Sequence, residues 1–297
     1  MKILQLMSKE LGLDKEFILK ISRNNNAYKK YKIPKKNGEH RDIYHPNKNL
    51  KLLQYWLVKR IFSKFSISEY STAYLKGSSI KKNALLHKDS NYILHIDICH
   101  FFESITDYHI DKLLNNVNGL DDDDKELIKN IVLFRGKHLV IGSVASPIIS
   151  NCIMYDIDLE IINECIRDKG FIYTRYADDI VVSSKKYIED DIIEKISAIL
   201  EKNKFVMNDE KTYFMNKKGR RVITGVILDN NNNNLSIGNK RYKEIQRVIY
   251  RFLVKNDGDK DKILGYLSYI KDIDYHKYNS IRNTYCKYDK DNKLFVQ

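Results

Sequence analysis

A chain of 297 residues, 43% of them hydrophobic, is long enough for one large domain or two to three smaller lobes around a packed core. Its formal net charge of +13, from 52 Lys+Arg against 39 Asp+Glu, points to a polyanionic partner. The four cysteines (Cys99, Cys152, Cys165 and Cys286) lack zinc-module spacing, and no stretch has the apolar length of a signal core or bilayer span, so a reduced, cytoplasmic protein without membrane insertion is expected.

In chain order, residues 1–31 read as a helix, with Leu4, Met7, Leu11, Phe17, Ile18 and Ile21 near helical spacing, closed by a polar turn at Asn24-Asn25-Asn26. Two short strands around a basic Asn37-Gly38 turn follow. Leu50, Leu53, Trp56, Leu57 and Ile61 then predict a packed helix capped by Asn49. Tyr92–Ile98 reads as a strand carrying Asp97 in an otherwise apolar run. Residues 108–134 read as largely helical, with Asp121 to Asp124 as a solvated acidic helix start. Ser146-Pro147 opens a further helix, along which Ile149, Cys152, Ile153, Asp156, Leu159, Ile162 and Ile166 follow until Gly170 stops it. A hairpin follows, then a helix over 190–202 and strands near 211–215 and 222–228. Two last helices lie beyond Asn239, and strands interleaved with helices describe an α+β platform.

The run Phe171-Ile172-Tyr173-Thr174-Arg175-Tyr176-Ala177-Asp178-Asp179-Ile180-Val181-Val182-Ser183 places two carboxylates between apolar segments, where no buried strand would tolerate them, so they should crown a tight hairpin. Together with Asp97 they would repel one another unless a cation stands among them. Oxygen-only ligands suit magnesium, which completes its shell with waters and substrate phosphates, so the pattern suggests metal-assisted phosphoryl transfer. His95 and Cys99, which flank Asp97, are read as packing residues.

Tyr176-Ala177-Asp178-Asp179, with Asp97-Ile98-Cys99-His100-Phe101-Phe102 upstream and Gly142 and Ser146-Pro147 between, resembles the reverse transcriptase palm. Asn208-Asp209-Glu210-Lys211-Thr212 resembles the element that closes it. Asn83-Ala84-Leu85-Leu86-His87 and Ile223-Thr224-Gly225 resemble the two short marks of the retron branch. Where the family usually has Pro-Gln before this glycine, Val140-Ile141 stand, so a polar side chain expected near the nucleotide is apolar.

The resemblance implies an α+β right-hand polymerase fold: fingers with the N-terminal helix (1–75), a first palm part with the retron insertion (76–107), a helical connection (108–145), a second palm part (146–228) and a helical thumb (229–297). It implies that Asp97, Asp178 and Asp179 are catalytic and, with Ile98, hold two Mg2+ ions. One ion would lower the pKa of the primer hydroxyl, and the other would carry the incoming triphosphate and departing pyrophosphate. Phe102 would abut the sugar's 2′ position. Lys35 or Lys36 and Arg41 would grip the triphosphate of a dNTP, and Lys211 would give a proton to pyrophosphate. Asn83 and Lys240, Arg241, Lys243, Arg247 and Arg251 would bind RNA. His87 would touch RNA or make a structural hydrogen bond. The implied activity is reverse transcription of a cognate structured non-coding RNA, primed from a guanosine 2′-hydroxyl to give branched RNA–DNA (msDNA), with a separate effector protein in anti-phage defence. Another bacterial reverse transcriptase, of diversity-generating or abortive-infection type, is the nearest alternative. A non-catalytic RNA-binding scaffold is the alternative from a different class.

Overall fold

A computed structural model of the chain describes residues 2–34, 38–291 and 293–295. The helical period of the first residues is interrupted at Gly12, whose φ of +65° no helix contains, and restarts at Asp14, whose carboxylate accepts the N–H groups of Glu16 and Phe17. The single helix expected there is therefore two, α1 (Lys2–Leu11) and α2 (Lys15–Ser22). Strands β1 (Tyr28–Pro34) and β2 (His40–Pro46) pair antiparallel with Ile33 opposite Arg41. The cap of α3 (Lys48–Arg60) is Asn47 rather than Asn49, because the Asn47 side chain accepts Leu50 N–H at 2.9 Å.

Next come α4 (Ile80–Leu86), β3 (Tyr92–Asp97), α5 (Phe101–Ser104), α6 (Asp107–Leu114), α7 (Asp122–Val132) and α8 (Ser146–Ile161). A π turn and a 3-10 turn continue α8 until Gly170, at φ +65°, ends it. The remainder is β4 (Ile172–Tyr176), β5 (Asp179–Ser184), α9 (Asp191–Lys202), β6 (Tyr213–Asn216), β7 (Arg221–Ile223), β8 (Val226–Leu228), β9 (Leu235–Ser236), α10 (Asn239–Lys255), α11 (Lys260–Ile273) and α12 (Tyr275–Tyr285). The strand expected over 222–228 is thus a hairpin, turned by Thr224 and Gly225 at φ +46° and +84°, the pair of positive values that a two-residue turn requires. Among the described residues three helices, not two, run from Asn239 onward, since Asp274 caps a new one by accepting Lys277 N–H. Strand order is β4-β5-β3-β6 in one sheet, β7-β8-β9 in another, and β1-β2 stands alone.

The chain divides into two compact units, each gathered from three stretches: Met1–Lys76, Ile96–Ile180 and Glu189–Thr212 in the first, Gly77–His95, Val181–Ile188 and Tyr213–Gln297 in the second. In the first unit α1, α2, α3 and α7 pack together, burying Met7, Ile18, Leu53, Leu57 and Ile131 completely. Asp124 is also fully buried, against the expectation of a solvated acidic run. It accepts Lys2 N–H at 3.1 Å and Ile3 N–H at 2.8 Å, two of the first-turn donors that α1 cannot satisfy itself. In the second unit α4 packs on β7–β9, and Ala84, Ile93, Val181, Ile223, Ile249, Ile263 and Ile281 share one core with no exposure.

Among the described residues, no helix is long and apolar enough to cross a membrane.

Candidate active site

Two backbone pairings fix the position of Asp97 within the first unit. On one side Asn208 N–H donates to Asp97 O at 2.8 Å and Cys99 N–H to Val206 O at 2.8 Å, with Ile98 bridged to Met207. On the other, Ile98 N–H donates to Asp178 O at 3.1 Å, so the end of β3 lies directly beside the turn that carries Asp178. That turn is Ala177-Asp178, the two residues between β4 and β5; the tight hairpin expected from the sequence forms, but only Asp178 lies in its turn, and Asp179 is the first residue of β5. Ala177 takes φ +58° and is 5% exposed, a left-handed conformation costing about 1–2 kcal/mol for a residue with a Cβ, and such strain is found where function demands it.

The turn is held from beneath by a buried charge. Arg175 and Asp158 are both fully buried. Arg175 Nε and Nη2 donate to the two Asp158 oxygens at 2.8 and 2.9 Å, a two-pronged ion pair. Arg175 Nη1 then donates to Ala177 O and to Asn151 Oδ1, each at 3.2 Å, and Tyr173 Oη donates to Asp158 Oδ1 at 2.7 Å. A guanidinium thus spans from α8 to the strained carbonyl one residue before Asp178. Sequence reasoning assigned no role to Arg175, Asp158 or Asn151; the signal was a lone Arg in an apolar strand, which demands a buried acceptor.

The three carboxylates have different surroundings. Asp97, 5% exposed, receives both oxygens' bonds from Lys211 Nζ, at 2.9 and 3.1 Å, and a further bond from Asn208 Nδ2 at 3.1 Å. This hydrogen bond, more than any other influence, raises the Lys211 pKa, so its ammonium stays charged through neutral pH. Burial first, and then the charges of Asp179 and Asp97, push Asp178 up from 3.8 to about 6. Among the described residues no three His, Cys, Asp or Glu side chains already surround a common metal position, and Lys211 is the cation on Asp97. The donor set nevertheless fits a hard dication: the carboxylates supply only oxygen, and burial with the charges of Asp179 and Asp97 makes the ionised form of Asp178 costly without a cation. Ile98, with an apolar side chain at 2% exposure, could contribute only its carbonyl.

Phe102 is half-buried, its ring centroid 5.4 Å from Phe101 and 6.3 Å from Tyr74. Arg41 is exposed on β2, whereas Lys35 and Lys36 lie outside the described residues. The segment before α8 rests on β2: Tyr44 N–H donates to Ile141 O at 2.8 Å, Val140 is fully buried and Ile141 partly so. Gly142, at φ +100°, approaches so closely that an added Cβ would stand 2.8 Å from Tyr44 O and from Ile43 Cγ2. Gly142→Ala is expected to lower stability by about 2–4 kcal/mol, through backbone strain and overpacking, as a fall in Tm would register.

The RNA-binding residues expected in the second unit divide. Lys240, Arg241, Lys243, Arg247 and Arg251 are all exposed on α10, with Arg241 stacked 4.4 Å from the Tyr269 ring and Arg251 paired with Asp257. Asn83 and His87 are instead completely buried, which corrects their assignment to direct RNA contact. Of the two roles expected for His87, the structure holds the hydrogen bond: Nδ1 meets Ser183 Oγ at 2.7 Å, and burial pushes its pKa down to about 3, so the ring is neutral. His95 stacks on Tyr213 at 5.0 Å and Cys99 Sγ contacts Met207 O at 3.8 Å, both as packing residues.

A family model described as reverse transcriptase (RNA-dependent DNA polymerase) matches residues 33–270. The Retron Ec73 reverse transcriptase of Escherichia coli is 31% identical, over 96% of this chain and 95% of its own. The Retron Ec83 reverse transcriptase of Escherichia coli is 33% identical over 80% of each chain, and the Retron Ec86 reverse transcriptase of the same organism 29% identical over 89% of this chain and 82% of its own. With its acidic hairpin, its match to the family over most of its length and these relatives, the chain belongs to the retron reverse transcriptases, RNA-directed DNA polymerases of α+β right-hand fold.

Proposed function

We propose that this polymerase copies a cognate structured non-coding RNA into DNA from dNTPs, primed by a guanosine 2′-hydroxyl to leave branched RNA–DNA (msDNA), and that it acts in the cytoplasm with an effector protein in anti-phage defence. The observation that carries the catalytic part is the hydrogen bond from Ile98 to Asp178 O, which sets Asp97 beside the acidic turn. Asp97, Asp178, Asp179 and the Ile98 carbonyl would hold two magnesium ions, whose chemistry is to acidify the primer hydroxyl and to neutralise the triphosphate. The primer oxygen bonds to the α-phosphorus as the bond to pyrophosphate breaks, and the hydroxyl proton is released. Lys211, whose ammonium bonds to Asp97, would give a proton to the departing pyrophosphate.

Phe102 closes the space beside the sugar's 2′ carbon, and Arg41 with Lys35 or Lys36 grips the phosphates. The exposed cations of α10 suit the backbone of a folded RNA, which takes fixed positive charge without sequence preference. The division into fingers (1–75), palm (76–107 and 146–228), connection (108–145) and thumb (229–297) belongs to the same proposal. Sequencing the nucleic acid that copurifies with the active protein tests it. DNA joined to RNA through a 2′ branch is the expected product, and linear cDNA alone would contradict the priming proposed.

A further inference from the structure

Tyr74 lies outside every motif of the chain, yet it adopts φ +63°, a conformation that aromatic residues rarely accept. The residues before it hold it there. Thr72 donates to Arg175 O through both its N–H, at 2.7 Å, and its hydroxyl, at 3.1 Å, and Arg175 N–H donates to Tyr70 O at 2.9 Å. Asn151 Nδ2 donates to Ala73 O at 3.0 Å, and Ser71 Oγ to Asn151 Oδ1 at 2.9 Å. The strand that ends in the Ala177-Asp178 turn and the helix that carries Asp158 therefore both anchor the backbone that presents Tyr74.

Tyr74 is 49% exposed, and its ring packs against Phe102 with centroids 6.3 Å apart and planes tilted by 43°. Phe102's other aromatic neighbour, Phe101, is 4% exposed and itself packs on Phe205 at 6.0 Å. Phe101 is thus fixed by the core, while Tyr74 is fixed by a strained backbone. Burial, and after it the charge of Asp178, push the Tyr74 hydroxyl up to about 12, so it stays protonated beside the acidic turn.

We infer that Tyr74 is a positioning residue for sugar selection: its ring holds Phe102 in the orientation that excludes a 2′-hydroxyl. This rests on reading Phe102 as the side chain beside the 2′ position. Without the Tyr74 ring, Phe102 gains space to swing aside and a ribonucleotide fits better. A backing contact of this kind contributes about 0.6–1.4 kcal/mol, or about three- to ten-fold in discrimination.

The test compares kcat/KM for a deoxynucleoside and the matching ribonucleoside triphosphate on one template–primer, using the full chain. Tyr74→Ala and Tyr74→Gly should each raise relative ribonucleotide use about three- to ten-fold, chiefly through a lower ribonucleotide KM. Tyr74→Gly guards against misfolding, because glycine accepts φ +63° without strain. Tyr74→Phe should restore the wild-type ratio. Phe102→Ala should relax selection further, and adding Tyr74→Ala to it should then change nothing, since Tyr74 acts through that ring. If Phe102→Ala relaxes selection while both ring-deleting variants at Tyr74 discriminate like wild type, the inference is overturned. A Phe102→Ala enzyme that still rejects ribonucleotides would instead overturn the reading beneath it, and additive effects would show that Tyr74 does not work through Phe102.

Discussion

Asp178→Asn is expected to abolish DNA synthesis while making the protein more stable. Its carboxyl group has a pKa of about 6 in the fold against an ordinary 3.8, chiefly because it is buried and then because Asp179 and Asp97 are charged nearby. Below 3.8 the group is protonated in folded and unfolded chains alike and contributes nothing. Between 3.8 and about 6 the folded chain keeps a proton that the unfolded chain has lost, so stability falls as pH rises through that window. Above it the full cost remains, about 1–3 kcal/mol after allowance for the partial solvent contact of the side chain. An amide of the same shape carries no charge and removes that cost. The variant should melt a few degrees higher than wild type at pH 7.5 in chelator, roughly 2–4 °C per kcal/mol, with the gap closing as pH falls towards 4. Magnesium should raise the melting point of the wild type more than that of the variant. Polymerisation should fall roughly a thousand-fold or more, the scale of charge stabilisation lost with a metal ligand. A variant that is inactive but less stable would mean that burial and the neighbouring charges do not make the Asp178 carboxylate costly to the fold.

The second large effect concerns Arg175 and Asp158. Removing either partner leaves a charge buried and unpaired, so Arg175→Ala or Asp158→Ala should cost about 3–5 kcal/mol, seen as a fall in Tm of roughly 6–20 °C. Replacing both by apolar residues of similar volume, as in Arg175→Met with Asp158→Leu, should recover most of that stability, because the desolvation of two charges disappears with them. Activity should not recover with it. The doubly substituted protein lacks the donor to Ala177 O, so nothing replaces the hydrogen bond that fixes the strained residue before Asp178. A stable double variant that synthesises DNA at the wild-type rate would show that the buried pair serves folding alone.

The sequence made some of this legible because the physics was local. An acidic pair between two apolar runs marks a hairpin, though Asp179 already opens β5, and Pro147 and Gly170 bracket the helix that α8 and its continuation form. Other features depend on partners far away in the chain. Asp124 reads as one of four solvated acids, but it closes the N-terminus of a helix 121 residues earlier. The period expected along α8 runs through Asp156, which is exposed, whereas Met154, Ile157, Asp158 and Ile161 face inward. The Arg175 acceptor was hidden by that error of phase, since a buried Asp and an exposed Asp look alike until the register is known. Thr224 is β-branched and reads as strand, so the hairpin turn it makes with Gly225 was invisible to propensity. His87 was legible only as a choice between a hydrogen bond and RNA, which its burial against Ser183 decides.

The most direct measurement is extension of a template–primer by the wild type and by Asp97→Asn, Asp178→Asn and Asp179→Asn, with dNTPs and magnesium, alongside RNA binding by each. cDNA is expected from the wild type alone, with RNA retained by all four proteins. Synthesis at the wild-type rate by any one of the three variants would contradict a catalytic triad of carboxylates and remove that residue from the site.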